Sequence, residues 1–236
     1  MTKAKKHNLP GNEIKISNRF SLLSEDEDET FLIGDSLVKE QAEHFGINNK
    51  KKRKTISFPG AGARKIGEEI KKVRTKNRKS TIIIQGGGND LFLKNGNAGP
   101  TEPLFTELEK IVETLCEKTD NGIVVGLLPR NDVSHYSLSK AIGLNSRLQN
   151  VCSRKGVRFV NYWDRFIGNR KLYRRDGIHL NDEGKKLFGS LLNEDVFDHL
   201  KEQNSGNRQH LSNTQDRSIS DRIESRENDK GNDYSH

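Results

Sequence analysis

Cysteine is scarce in this chain: Cys116 and Cys152 are the two thiols among 236 residues. Both stand in helical patterns and have no metal-ligand spacing. That excludes a disulfide framework and a zinc module and leaves them to be read as reduced, buried thiols. Long apolar runs are missing as well. No stretch nears the ~18 uncharged apolar residues of a membrane span, and the basic start, MTKAKKHNLPGNEIK, has no apolar segment behind it, so neither a transmembrane helix nor a secretory leader is expected. Large apolar side chains are also few. At 31% hydrophobic residues, even with 21 glycines added, the chain falls short of the ~45–50% usual for a globular domain, and part of it is expected to stay unfolded. Positive charge is in excess, with 41 Lys and Arg against 33 Asp and Glu. This suits attraction to a polyanion but does not specify a fold. Much of the excess is local, in the run Lys50 to Lys54 and in the cluster Arg170, Lys171, Arg174 and Arg175.

The apolar residues that are present concentrate between two polar ends. Residues 1–28 hold few large apolar groups beyond Phe20, Leu22 and Leu23 and close on an acidic run. Residues 202–236 are dominated by Ser, Asn, Asp, Arg and Gln. Neither end buries enough surface to offset its ordering entropy, so both read as disordered tails around one domain, 29–201. Inside it, FLIG (Phe31 to Gly34), TIIIQ (Thr81 to Gln85), GIVVGLL (Gly122 to Leu128) and VRFVNY (Val157 to Tyr162) have strand length and strand chemistry. TISF (Thr55 to Phe58) is a weaker fifth candidate. Helical patterns follow each in turn: Leu37 to Phe45, Ala63 to Arg74, Leu104 to Lys118, Ser137 to Lys155 and Asp182 to Leu200. Strands alternating with helices predict an α/β fold of three layers around a parallel sheet. In such sheets, ligands bind at the carboxyl ends of the strands.

Three segments at those ends carry polar chemistry. Gly34-Asp35-Ser36 places a hydroxyl on a strand-to-helix turn, where it reads either as a nucleophile near backbone N–H groups or as a helix cap. Gln85-Gly86-Gly87-Gly88-Asn89-Asp90 offers an amide donor behind a backbone free to approach closely. It is neither a P-loop, for no Gly-Lys-Ser or Gly-Lys-Thr follows, nor a dinucleotide fingerprint, which would follow the first strand. Asp176-Gly177-Ile178-His179 can fold so that the carboxylate accepts from one imidazole nitrogen while the other faces a nucleophile; alone, it is also a capped helix start. Taken together and in this order, the three supply the parts of acyl transfer: nucleophile, polarising amide, and oriented base.

In these blocks the chain resembles the SGNH hydrolases, the esterase superfamily also called GDSL. The first block matches Gly34-Asp35-Ser36, the third Gly87-Gly88-Asn89-Asp90 and the fifth Asp176 to His179, and the likeness spans roughly residues 30 to 200. The second block is a glycine after the second strand, either Gly60 or Gly62, with Gly60 preferred as nearer the strand end. The stretches NRFSLLSEDEDE, LLPR, AIGLNSRLQ and WDRFIGNRKLYRRDGIHLNDEGKKL further resemble SGNH domains carried by non-LTR retrotransposons and genes derived from them.

The resemblance implies a flavodoxin-like sheet in strand order 2-1-3-4-5. It also implies hydrolysis of a carboxylic ester, small-molecule or lipid, through an acyl-serine, with no metal or organic cofactor. Ser36 would attack, His179 would serve as base and then acid within hydrogen-bond reach of Ser36, and Asp176 would hold the imidazole. The N–H groups of Ser36 and Gly60 and the Asn89 amide would form the oxyanion hole, with Asp35 and Asp90 bracing turns. Residues 94–103, 130–136 and 163–175 would wall the pocket, with Trp163, Phe166 and Tyr173 as acyl-binding or packing residues. The alternative is a catalytically silent protein of the same fold that binds RNA or an anionic surface through its basic residues. Location is expected to be cytoplasmic, or nuclear if Lys50 to Lys54 act as an address rather than as a solvated loop.

Overall fold

The computed structural model describes residues 29–45, 53–93 and 95–202. The tail expected over 1–28, the tail expected over 202–236 except Glu202, which ends a helix, and Lys50 to Lys52 lie outside the described residues. Five strands, β1 (Thr30–Gly34), β2 (Arg53–Ser57), β3 (Thr81–Gln85), β4 (Asn121–Val125) and β5 (Arg158–Val160), form one sheet. Its order is β2-β1-β3-β4-β5, and every pairing is parallel. The helices are α1 (Ser36–Lys39), α2 (Ala63–Lys72), α3 (Gly88–Leu91), α4 (Thr101–Lys118), α5 (His135–Lys155), α6 (Trp163–Phe166) and α7 (182–202). The expected α/β architecture and strand order are those observed.

The period-two alternation of strand side chains divides the core between the two faces of the sheet. Phe31, Ile33, Ile82, Ile84 and Val124 pack with Ile66 and Ile70 of α2, Leu108, Ile111 and Leu115 of α4, and Leu144 and Leu148 of α5. Leu32, Ile83, Ile123 and Val125 pack instead with Val38, Phe166 and, from α7, Phe188, Leu192 and Val196. Strands buried on both faces need no polar positions, which is why TIIIQ reads as a continuous apolar run.

Some boundaries differ from expectation. β2 starts two residues early, so Arg53 and Lys54 belong to a strand rather than to a basic loop. An edge strand tolerates such charges: the Arg53 guanidinium lies 4.8 Å from the Phe45 ring centroid and bonds Asn193, and Lys54 pairs with Glu29 at 2.7 Å. The first helix is a single turn, followed by tight turns in which Gln41 and His44 donate to the carbonyls three residues back. β4 and β5 are shorter than their apolar runs, since Leu127 and Leu128 continue into a loop. The one-turn helices α3 and α6 are too short to show a 3.6-residue period. Cys152 is buried and Cys116 is partly exposed; both are free thiols.

Candidate active site

At the carboxyl edge of the sheet, β1 ends in Gly34, and a side chain there would overlap the Gln85 backbone carbonyl on neighbouring β3. The glycine is what allows the next two residues to turn over the sheet edge. Asp35, 2% exposed, caps α1 by accepting from the Leu37 N–H at 2.9 Å, which leaves Ser36 on the first helical residue. Because α1 is one turn long, any help to a developing charge comes from local N–H groups rather than from a summed helix dipole.

Asp176 and His179 are joined in a tight loop. The carboxylate accepts from His179 Nδ1 at 2.8 Å and from the backbone N–H groups of Ile178 and His179 at 2.9 and 3.0 Å. Gly177 turns the chain with φ +70°, Arg174 N–H donates to the His179 carbonyl at 2.8 Å, and Asn131 N–H to the Gly177 carbonyl at 2.8 Å. Burial alone would raise the Asp176 pKa, but these hydrogen bonds and the imidazole outweigh it and bring it down to about 2. The carboxylate therefore stays ionised to accept from the ring.

Ser36 and His179 line one narrow, partly open cavity of about 20 Å³, together with Asp35, Gln85, Gly88, Arg130 and Tyr173 among others. No hydrogen bond joins Ser36 to His179 among the described residues, which departs from the expected reach; uncomplexed acyl-transfer sites are frequently looser than their working complexes.

The polarising amide lies beside this cavity. Asn89, in α3 behind the αL turn of Gly87 (φ +97°), donates from Nδ2 to the Ala61 carbonyl at 3.1 Å. Its Oδ1 accepts from Arg130 at 3.0 Å. Gly60 takes φ +78°, which explains a glycine there. Gly62 is glycine for another reason: a side chain would run into the Asp90 carboxylate. That carboxylate accepts from the Ala63 N–H at 2.8 Å and so caps α2. Asp90 and Asp35 brace turns in the expected way.

Residues 32–187 match the model of the GDSL-like lipase/acylhydrolase family. The chain belongs to this family. It is a serine hydrolase acting on ester bonds. Solved structures share its fold. A Bacteroides fragilis protein thought to be an acylhydrolase is 18% identical over 80% of this chain and 100% of its own, with a TM-score of 0.60. A GDSL-like lipase of Bacteroides thetaiotaomicron is 18% identical over 72% and 88%, at 0.59. A lipase/acylhydrolase of Enterococcus faecalis is 16% identical over 72% and 95%, at 0.52. No curated protein sequence matches this chain.

For this GDSL-like hydrolase, the structure decides among several expected roles. Of the segment 94–103 expected to wall the pocket, the described residues 95–103 do not line the cavity. They fold so that Gly96 O accepts from Ser137 Oγ at 3.0 Å, and their end, with Pro100 and Pro103, borders a separate open groove of about 560 Å³ beside Asp90 and Arg64. Trp163 and Phe166 are core residues, and Phe166 packs edge-on against Tyr173 and Phe188. Tyr173 reaches the cavity but spends its hydroxyl on the Pro129 carbonyl at 2.7 Å. In the basic cluster, Arg170 donates to the carbonyls of Arg174 and Arg175 at 2.7 and 2.5 Å, and Arg174 pairs with Glu40 at 2.8 Å. These two charges help hold the histidine loop in place.

Two polar residues of the cavity were given no chemical role by the sequence. Gln85, 1% exposed, has a buried Oε1 with no partner. Arg130 opens the stretch 130–136 that was expected to wall the pocket, and it does line the cavity. Desolvation raises the Asp35 pKa to about 6 against the opposing effects of the Leu37 N–H, Arg130 and His179. Among the described residues no group of His, Cys, Asp and Glu is placed to hold a metal.

Proposed function

We propose that this protein cleaves carboxylic esters of short acyl chains with Ser36 as nucleophile. His179 takes the hydroxyl proton and returns it to the leaving alcohol, and Asp176 fixes the tautomer and stabilises the imidazolium. The acyl-serine is then hydrolysed by water activated by the same imidazole. The tetrahedral oxyanion receives the backbone N–H groups of Ser36 and Gly60 and the second Nδ2 hydrogen of Asn89, the first being held by Ala61. The observation that carries this reading is the hydrogen-bonded Asp176–His179 pair whose imidazole shares one narrow cavity with Ser36. A cavity of about 20 Å³ holds little more than one water-sized group, which supports an acetyl-sized acyl chain over a long one.

The test is hydrolysis of p-nitrophenyl acetate and p-nitrophenyl octanoate by wild type and Ser36→Ala. Wild type should favour the acetate, and Ser36→Ala should lose about 10⁴–10⁶ in kcat. Wild-type turnover no faster than the variant's would end the reading. The LLPR, AIGLNSRLQ and WDRFIGNRKLYRRDGIHLNDEG stretches support a narrower placement among SGNH domains of non-LTR retrotransposon origin. A reverse-transcriptase reading frame, or its remnant, beside the gene is the expected finding. A cytoplasmic place of action goes with this reading, and nuclear accumulation of a tagged chain would overturn it.

A further inference from the structure

We propose that Arg130 is a positioning residue. Its guanidinium locks the Asn89 side-chain amide in the one orientation that presents a free N–H to the oxyanion. The proposal rests on the esterase reading above.

A side-chain amide can point either way round, and nothing in its shape decides between the two. Here its partners decide. A guanidinium can only donate and a backbone carbonyl can only accept. Arg130 Nη2 lies 3.0 Å from Asn89 Oδ1, and the Ala61 carbonyl lies 3.1 Å from Nδ2. The reversed amide would set NH₂ against the guanidinium and two carbonyl oxygens against each other. Ala61 consumes one of the two Nδ2 hydrogens, and the other remains for the substrate. The same contact places a positive charge behind the amide carbonyl, which polarises the amide and strengthens it as a donor.

Arg130 is built into this place. Asn145 of α5, 3% exposed, accepts from the Leu127 N–H at 2.8 Å and donates to the Leu127 carbonyl at 3.0 Å. Tyr173 Oη donates to the Pro129 carbonyl at 2.7 Å, so the two residues pin the loop from opposite sides. The guanidinium lies 5.1 Å from the Phe92 ring centroid and donates weakly to the Phe92 carbonyl at 3.4 Å. Half-buried, Arg130 makes no direct ion pair among the described residues, and the carboxylates of Asp132, Asp35 and Asp176 act on it only from farther off. Its charge is therefore incompletely compensated within the fold and available to the developing oxyanion through the amide.

A double-mutant cycle on p-nitrophenyl acetate tests the coupling. Arg130→Met should lower kcat about 10–100-fold with KM little changed, and Arg130→Lys, which keeps a donor and a charge, should recover part of the loss. In an Asn89→Ala background the Arg130→Met change should cost less than about threefold, because the group it positions is gone. An equal loss in both backgrounds would overturn the proposal. So would a loss confined to KM, or one seen only with an anionic ester such as p-nitrophenyl hemisuccinate, which would make Arg130 a substrate-anion site. Thermal unfolding of each variant separates these outcomes from misfolding, and Arg130→Gln replaces the methionine in the cycle if that variant does not fold. Equal rates in wild type and Ser36→Ala would instead sink the esterase reading and this proposal together.

Discussion

The two edges of the sheet differ in how they treat polar groups. At the amino edge, Arg78 places four hydrogen bonds: two to Asp120 at 2.9 and 2.7 Å, and one each to the Glu117 and Cys116 carbonyls at the end of α4, at 2.6 and 2.9 Å. The Thr119 hydroxyl accepts from the Asn121 N–H at 2.9 Å, and Asn121 Nδ2 donates to the Lys79 carbonyl at 2.6 Å. The Ser80 hydroxyl and His199 Nε2, near Arg158 at the start of β5, are buried without a partner, but the network around Arg78, Thr119 and Asn121 is satisfied internally. At the carboxyl edge, Gln85 Oε1 is buried without a partner, Asp35 is desolvated to a pKa of about 6, and Arg130 donates to the Asn89 amide while the nearby carboxylates act on it only at a distance. The first edge makes the fold stable. The second keeps charge and dipoles in a dry place, where they act most strongly on a reacting carbonyl.

Substitutions at the carboxyl edge should therefore cost rate and little stability, and those at the amino edge the reverse. Asp176→Asn should lower kcat by about 10³–10⁴ because the imidazole loses its tautomer partner. The melting temperature should barely move, since the pair is partly exposed; a comparable fall in stability would blur the contrast. Asn89→Ala should cost about 10²–10³ in kcat for p-nitrophenyl acetate.

Asp35→Asn sharpens the contrast by its sign. The folded-state pKa of about 6 stands above the unbound value of 3.8, so between these the folded state holds the proton more tightly. Stability then falls as pH rises from about 4 to 6, by on the order of 3 kcal/mol. Asparagine keeps the cap acceptor without the charge. It should unfold at higher denaturant than wild type at pH 8 and match it below pH 4; a gap that is the same at both would break the argument. The smallest effect is expected at the other edge, where Arg78→Ala should cost about 1–2 kcal/mol in denaturant unfolding and leave kcat unchanged.

Legibility followed the same divide between local and distant information. TIIIQ was read with the boundaries the structure gives because a strand buried on both faces is uniformly apolar. β2 slid by two residues because Arg53 and Lys54 look like loop residues unless Phe45 and Phe31, from other segments, are known to lie under them. Gly34-Asp35-Ser36 and Asp176 to His179 stood out because each is a few consecutive residues with a turn between them. The segment 94–103 was misplaced because its course depends on a hydrogen bond to Ser137, about forty residues away. Arg130 was placed in the pocket wall, but its contact with Asn89 was not legible for the same reason, since Asn89 belongs to another strand end.

The order of apolar runs and helical periods, set by side-chain hydrophobicity and local backbone preference, already contained the α/β class, the sheet edge to search and the chemistry of three short segments. The absence of a hydrogen bond between Ser36 and His179, the orientation of the Asn89 amide and the desolvation of Asp35 came only with the tertiary structure. They depend on which distant groups exclude water and donate to which acceptors, and residues that meet only after folding leave no spacing in the chain to record it.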